Sequence, residues 1–146
     1  NQKNDIKFSG RLIGGCIDCL SNLVGTKYDH VKEFNEKYKN DGIVWFLESC
    51  DLDILSNRRA LWQMEHAGWF NNWKGFIIGR PLNHVYDQQF GINHCQAYLD
   101  VLKKFNVPVL FDVDVGHHPP MIPLICGSFA TITSNGQTYE VEMIEK

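Results

Sequence analysis

The chain has 146 residues, 44% of them hydrophobic and 21% charged, a balance that supports one folded domain with its own core and excludes a disordered polymer. Its net charge of -3 at pH 7 argues against a nucleic-acid groove or an anionic membrane surface. No apolar stretch approaches the roughly 20 residues of a membrane helix, no secretory signal pattern opens the chain, and the five cysteines form no disulfide framework, so a cytoplasmic protein with reduced thiols is expected.

The opening "NQKNDIKF" has no methionine and turns strand-like almost at once, as a processed protein or a piece of a longer one would. "IKFSGRLIGG" reads as a strand ending in two glycines, and "CIDCLSNLVG" as a short helix after it. Asp29 is placed to cap a second helix whose Val31, Phe34 and Tyr38 share a face. The run "KYDHVKEFNEKYK" alternates charge and reads as that helix's solvated side. "GIVWFLES" is continuously apolar over strand length, so it predicts a strand buried on both faces.

A helix is expected from Leu55 to Ala67, stopped by Gly68, followed by a buried strand "GFIIGRP" broken at Pro81. Tyr98, Val101, Leu102 and Phe105 fall at i, i+3, i+4 and i+7 of another helix, and "VPVLFDV" returns as a strand. The tail "FATITSNGQTYEVEM" alternates on either side of Asn135-Gly136, a pair favoured in type I′ hairpin turns. Trp45, Trp69, Phe70 and Trp73 read as core before partner surface, although a homodimer stays open. Alternating helices and apolar strands imply parallel crossovers. The expected fold is therefore α/β, a mixed, mainly parallel sheet covered by helices with a C-terminal β-hairpin, in one domain over residues 1–146.

Sites in open α/β sheets gather beyond the carboxyl ends of parallel strands. Here those ends carry Gly14-Gly15-Cys16, Glu48, Arg80-Pro81 and Gly116-His117-His118, which brings a carboxylate and an imidazole to one rim. A carboxylate that accepts the Nδ1 proton fixes the tautomer of a histidine and steadies the imidazolium formed when Nε2 takes a proton. Gly116 permits unusual backbone angles and Pro119-Pro120 stiffen the loop, as a positioned base requires.

Competing readings are weaker. Cys16-x-x-Cys19 has the spacing of a redox dithiol at a helix start, but Ile17 and Leu20 beside it look like packing, so structural thiols are expected. His117 and His118 with Asp112 and Asp114 could bind a metal, but adjacent histidines of an extended loop point apart and the two aspartates precede them within the strand, so this reading is the weaker one. Neither Ser49 nor Ser128 sits on a nucleophile turn, and Cys50 and Cys126 read as core, so a base is present without the group it would activate.

"GRLIGGCIDCLSNLVGTKYD", "DGIVWFLESCD", "RRALWQMEHAGW", "GFIIGRP" and "VPVLFDVDVGHHPPMIPLICGS" together resemble the C-terminal domain of the LD-carboxypeptidases, serine peptidases that include the microcin C immunity peptidases. The resemblance covers nearly the whole chain and implies a swivelling β/β/α fold. It also implies a Ser-His-Glu triad whose Glu, in "LE", is Glu48 and whose His, in "GH", is His117, with His118 a loop residue. The serine and oxyanion amides would lie in an N-terminal domain absent here, which becomes the expected partner, and the isolated domain would be inactive. The implied reaction removes a terminal D-residue from murein tetrapeptide during cell-wall recycling in the bacterial cytoplasm, with no metal or organic cofactor; the immunity relatives cleave a peptidyl-nucleotide.

Ser49 stands where the family often has Asp, and Cys16 where it often has Asn, which bears on the substrate more than on the triad. Arg59 falls on a familiar arginine and reads as ion-paired and structural. Arg80 and the amides of Gly15 and Cys16 are candidates to receive a substrate carboxylate. A stand-alone binding module of the same fold is the alternative to an enzyme.

Overall fold

The computed structural model describes residues 5–82 and 88–145. Six strands make one sheet: β1 (Ile6–Cys16), β2 (Ile43–Glu48), β3 (Trp73–Gly79), β4 (Val109–Val113), β5 (Phe129–Ser134) and β6 (Tyr139–Ile144). Their order is β4-β3-β2-β1-β5-β6, with β1 to β4 parallel and the β5–β6 hairpin antiparallel beside β1. This is the mixed, mainly parallel sheet expected from the sequence.

The four parallel strands follow one another in space without a reversal. Crossovers of one hand that all step the same way deliver their helices to the same face. That face carries α1 (Ile17–Leu20), α2 (Val31–Lys37), α3 (Ile54–His66) and α4 (His94–Leu102), whose apolar residues join one core. Strand alternation divides β2 between two cores: Ile43, Trp45 and Leu47 meet the helices, while Val44 and Phe46 meet a second core with Phe8, Leu12 and Ile77. The second core is closed by Ile122 and Leu124, from the segment after β4, and by Tyr139, Val141 and Met143 around β6. Helices thus cover one face of the sheet, and a loop with a hairpin covers the other.

Most local signals act as expected. All of β2 is buried. Asp53 caps α3 by accepting from the Ser56 N–H at 2.7 Å, and the helix gives way at Gly68 in the left-handed region (φ 81°). Asn93 and Gln96 form a reciprocal capping box on α4, and Phe105 packs on the same core from a 3-10 turn at Lys103–Phe105. Trp45, Trp69 and Phe70 are core, with Trp45 stacked on Trp69 at 5.9 Å between ring centres.

Three local expectations change. Helix α1 is a single turn because the chain breaks into successive turns after Leu20. The cap of α2 is His30, one residue later than expected; Asp29 still accepts from the Val31 N–H at 3.3 Å, and its other oxygen accepts from the Trp69 indole at 2.9 Å. The hairpin closes through four residues rather than two: Ser134 pairs with Tyr139, Gly136 alone of Asn135-Gly136 has positive φ, and Asn135 Oδ1 accepts from the Gln137 and Thr138 amides.

Candidate active site

The parallel register sets the four strand ends along one edge: Cys16 is level with Glu48, Leu47 with Ile78, and Gly79 with Val113. Alternation along β2 turns Glu48 to the same side as Val44 and Phe46, toward the segment that leaves β4. There the Glu48 carboxylate, 3% exposed, meets His117, with Oε2 3.0 Å from Nδ1. Gly116 makes the approach possible. Its φ is 112°, and a Cβ at that position would stand 2.6 Å from Glu48 Cγ and 2.7 Å from Oε2.

Against an ionised Glu48, Nδ1 carries the hydrogen and donates it, which leaves Nε2 of the half-exposed ring to take a proton. The hydrogen bond to Glu48 and then its charge raise the His117 pKa, with Asp18 and Asp51 adding to the effect and modest desolvation opposing it. The pair has the geometry of a held base. What it acts on is not within it.

Two other carboxylates build the surroundings. Asp18, in α1, accepts through Oδ1 from the Asp51 and Leu52 amides at 2.7 and 3.1 Å, and through Oδ2 from the Cys50 amide at 3.1 Å and the Cys16 thiol at 3.4 Å. Burial would raise its pKa, but these donors outweigh it and hold the pKa below the ordinary value. Asp18 therefore ties the turn after β1 to the segment that follows Glu48. The sequence reading missed it; an acid three residues past the Gly14-Gly15 pair was the available clue.

On the other side, Asp114 accepts from Arg80 Nη2 at 2.7 Å and from the Tyr139 hydroxyl at 2.8 Å. The same Nη2 donates to the carbonyls of Pro120 and His118 at 2.9 and 3.2 Å. The histidine-bearing loop is thereby fastened to β3, β4 and β6.

The structure sorts the remaining candidates. Arg80, expected to meet a substrate carboxylate, has Nη2 engaged in fastening the loop. Gly15 and Cys16 do lie at the rim, and the Cys16 sulfur is within 4.8 Å of ligand atoms of both Glu48 and His117. His118 is a half-buried loop residue with Nδ1 2.9 Å from the Pro119 carbonyl. Ser49 and Ser128 are buried and structural: Ser49 Oγ accepts from Asn57 at 3.1 Å, and Ser128 Oγ donates to Ile125 at 2.8 Å. Cys50 and Cys126 are not core residues as expected, since both lie in segments beyond strand ends, half-buried and exposed respectively.

For the redox alternative the chemistry runs the wrong way. Burial and then Glu48 push the Cys16 thiol up to about 12, where a reactive dithiol needs a lowered value. Arg59 donates to Ser56 Oγ at 2.8 Å, and its neighbour Arg58 makes the ion pair, with Asp100 at 3.2 Å.

An α/β domain that presents a buried carboxylate and an exposed imidazole at the rim of its parallel strands holds two of the groups an acid–base constellation uses. A family model described as the LD-carboxypeptidase C-terminal domain matches residues 9–132, and the chain belongs to that family. A Vibrio cholerae serotype O1 protein bearing the name of a carboxypeptidase is 24% identical over 137 residues, 93% of this chain and 38% of its own length. The crystal structure of a muramoyltetrapeptide carboxypeptidase from Oxalobacter formigenes superimposes with a TM-score of 0.77 at 18% identity, over 99% of this chain and 47% of that one. A microcin C7 self-immunity protein in complex with aspartyl sulfamoyl adenosine gives 0.73 at 21% identity, over 96% of this chain and 39% of that one. The chain thus spans less than half the length of these relatives. None of its described helices is long and apolar enough to cross a membrane.

Proposed function

We propose that this chain is the His/Glu-bearing half of a serine-type LD-carboxypeptidase that removes a terminal D-residue from murein tetrapeptide in cell-wall recycling in the bacterial cytoplasm. The observation that carries the reading is the 3.0 Å contact between His117 Nδ1 and a Glu48 carboxylate that is itself almost wholly buried. Nε2 would take the proton of a serine supplied by a preceding domain and return it to the leaving amine, while Glu48 holds the tautomer and steadies the cation. Gly15 and Cys16, level with Leu47 and Glu48 in the sheet, would line the substrate side. Arg80 would act through the loop it fastens.

The test is kinetics on the full-length protein with a tetrapeptide substrate. His117→Ala is expected to lower kcat by at least about 10³-fold, the scale seen when a triad base is lost, with little change in thermal stability because the ring is half-exposed. Unchanged turnover would end the proposal, and no turnover by the natural sequence would leave a binding module. A second reading, cleavage of a peptidyl-nucleotide, draws support from the self-immunity relative that holds an aspartyl sulfamoyl nucleoside. Assaying one preparation on both substrates separates the two, and preference for the nucleotide would displace the first.

A further inference from the structure

We propose that Cys16, Glu48 and His117 form a binding site for a thiophilic divalent cation of the zinc class, and that filling it dismantles the carboxylate–imidazole pair. Each residue offers one ligand atom, and the three atoms lie within 4.8 Å of one another. An ion near their centre would sit no more than about 2.8 Å from each, and zinc bonds to sulfur, nitrogen and oxygen run at about 2.0–2.3 Å, so side-chain shifts of less than about an ångström complete the set. Thiolate, imidazole and carboxylate are three donors that zinc accepts, and three ligands with one open position is its usual arrangement at reactive sites.

The parallel register explains the convergence, because Cys16 ends β1 level with Glu48 at the end of β2. Two further features favour a cation. Asp18 accepts from the Cys16 sulfur and stands behind the donor set as an outer carboxylate. Tyr98, wholly buried, has no hydrogen-bond partner for its hydroxyl among the described residues, and it lies within the field of Glu48, Asp18 and Cys16.

The chemistry balances without a co-reactant. On binding, the Cys16 S–H bond breaks, the proton leaves to solvent and the thiolate pair forms the metal–sulfur bond. A singly protonated ring moves its hydrogen from Nδ1 to Nε2 through solvent, and a doubly protonated ring releases its Nδ1 proton to solvent; either route leaves a neutral ring whose Nδ1 lone pair binds the ion. Glu48 then contacts the ion in place of the ring.

The test uses the full-length protein in a thiol-free reductant, titrated with Co²⁺ as a visible stand-in for zinc. One equivalent should bind with a thiolate-to-cobalt charge-transfer band that Zn²⁺ displaces. Cys16→Ser should abolish the band, Glu48→Gln and His117→Gln should weaken binding by at least about tenfold, and Cys19→Ser and Cys126→Ser should leave it intact. No band in the natural sequence, or a band that survives Cys16→Ser, would overturn the site. Inhibition of peptide hydrolysis by Zn²⁺, reversed by a chelator, is the arm that rests on the catalytic reading. A Cys16-dependent metal with hydrolysis undiminished would sink that reading and leave the site standing.

Discussion

The two faces of the sheet are built differently. On the helix face, Trp45, Trp69, Phe70, Phe76 and Tyr98 pack into one core with residues of α3 and α4, and all five rings are buried. On the opposite face the core is smaller, and its cover is a segment that leaves Met121 and Ile125 exposed while holding His117 over Glu48. One face supplies stability, and the other spends its side chains on position. The comparison can be broken most directly from the helix side. Trp45→Ala should cost about 3–5 kcal/mol in denaturant unfolding, while His117 in the folded fraction keeps its titration. A shifted His117 titration in the folded fraction would show that the faces are coupled.

Gly116→Ala attacks the other face. It should cost about 1–3 kcal/mol through strained backbone and drive a methyl into Glu48. Its effect on hydrolysis should exceed its effect on stability, at least about 10²-fold in kcat, because a misplaced base loses more than a strained fold. Asp18→Ala is milder. It leaves the amides of Cys50, Asp51 and Leu52 to water in a partly exposed turn, at about 1–2 kcal/mol. Asp18 has a depressed pKa in the fold, so its contribution is present above about pH 4 and is lost as pH falls through the folded value. Unfolding midpoints of the two proteins should therefore converge in acid; a constant gap would contradict this account of Asp18.

The same contrast decides what the sequence could reveal. The helix face was legible because burial leaves a period: the stripe of Tyr98, Val101, Leu102 and Phe105 and the unbroken run of β2 announce themselves. Glu48 and His117 were legible because strand ends in a parallel sheet share an edge, and a charged residue closing an apolar run is conspicuous. Asp18 and the Arg80–Asp114–Tyr139 set were not, because their partners are backbone groups or residues far along the chain, and such bonds leave no spacing to read. Cys126 shows the reverse error. A cysteine after an apolar tripeptide looks buried, yet that tripeptide lies in the loop, with Ile125 turned to solvent.

The smallest predicted effect is the sharpest measure of how the loop face works. His117 should titrate above the ordinary histidine value near 6.5 because Glu48 favours its charged form. Since the folded state then holds the proton more tightly than the unfolded chain, the pair adds stability fully below about pH 6.5 and loses that addition as pH rises through the folded pKa. The ring is half-exposed, so solvent screens most of the gain and unfolding alone is a blunt readout. Proton NMR of the ring is better, with the His117 signal assigned through His117→Gln. Glu48→Gln should bring its midpoint down toward the free value. In the full-length enzyme the acid limb of kcat/KM should move to lower pH with it, even as the plateau falls. A midpoint indifferent to Glu48→Gln would mean that the 3.0 Å contact does not govern the ring's charge in solution, and the division of labour between the two faces would lose its electrostatic half.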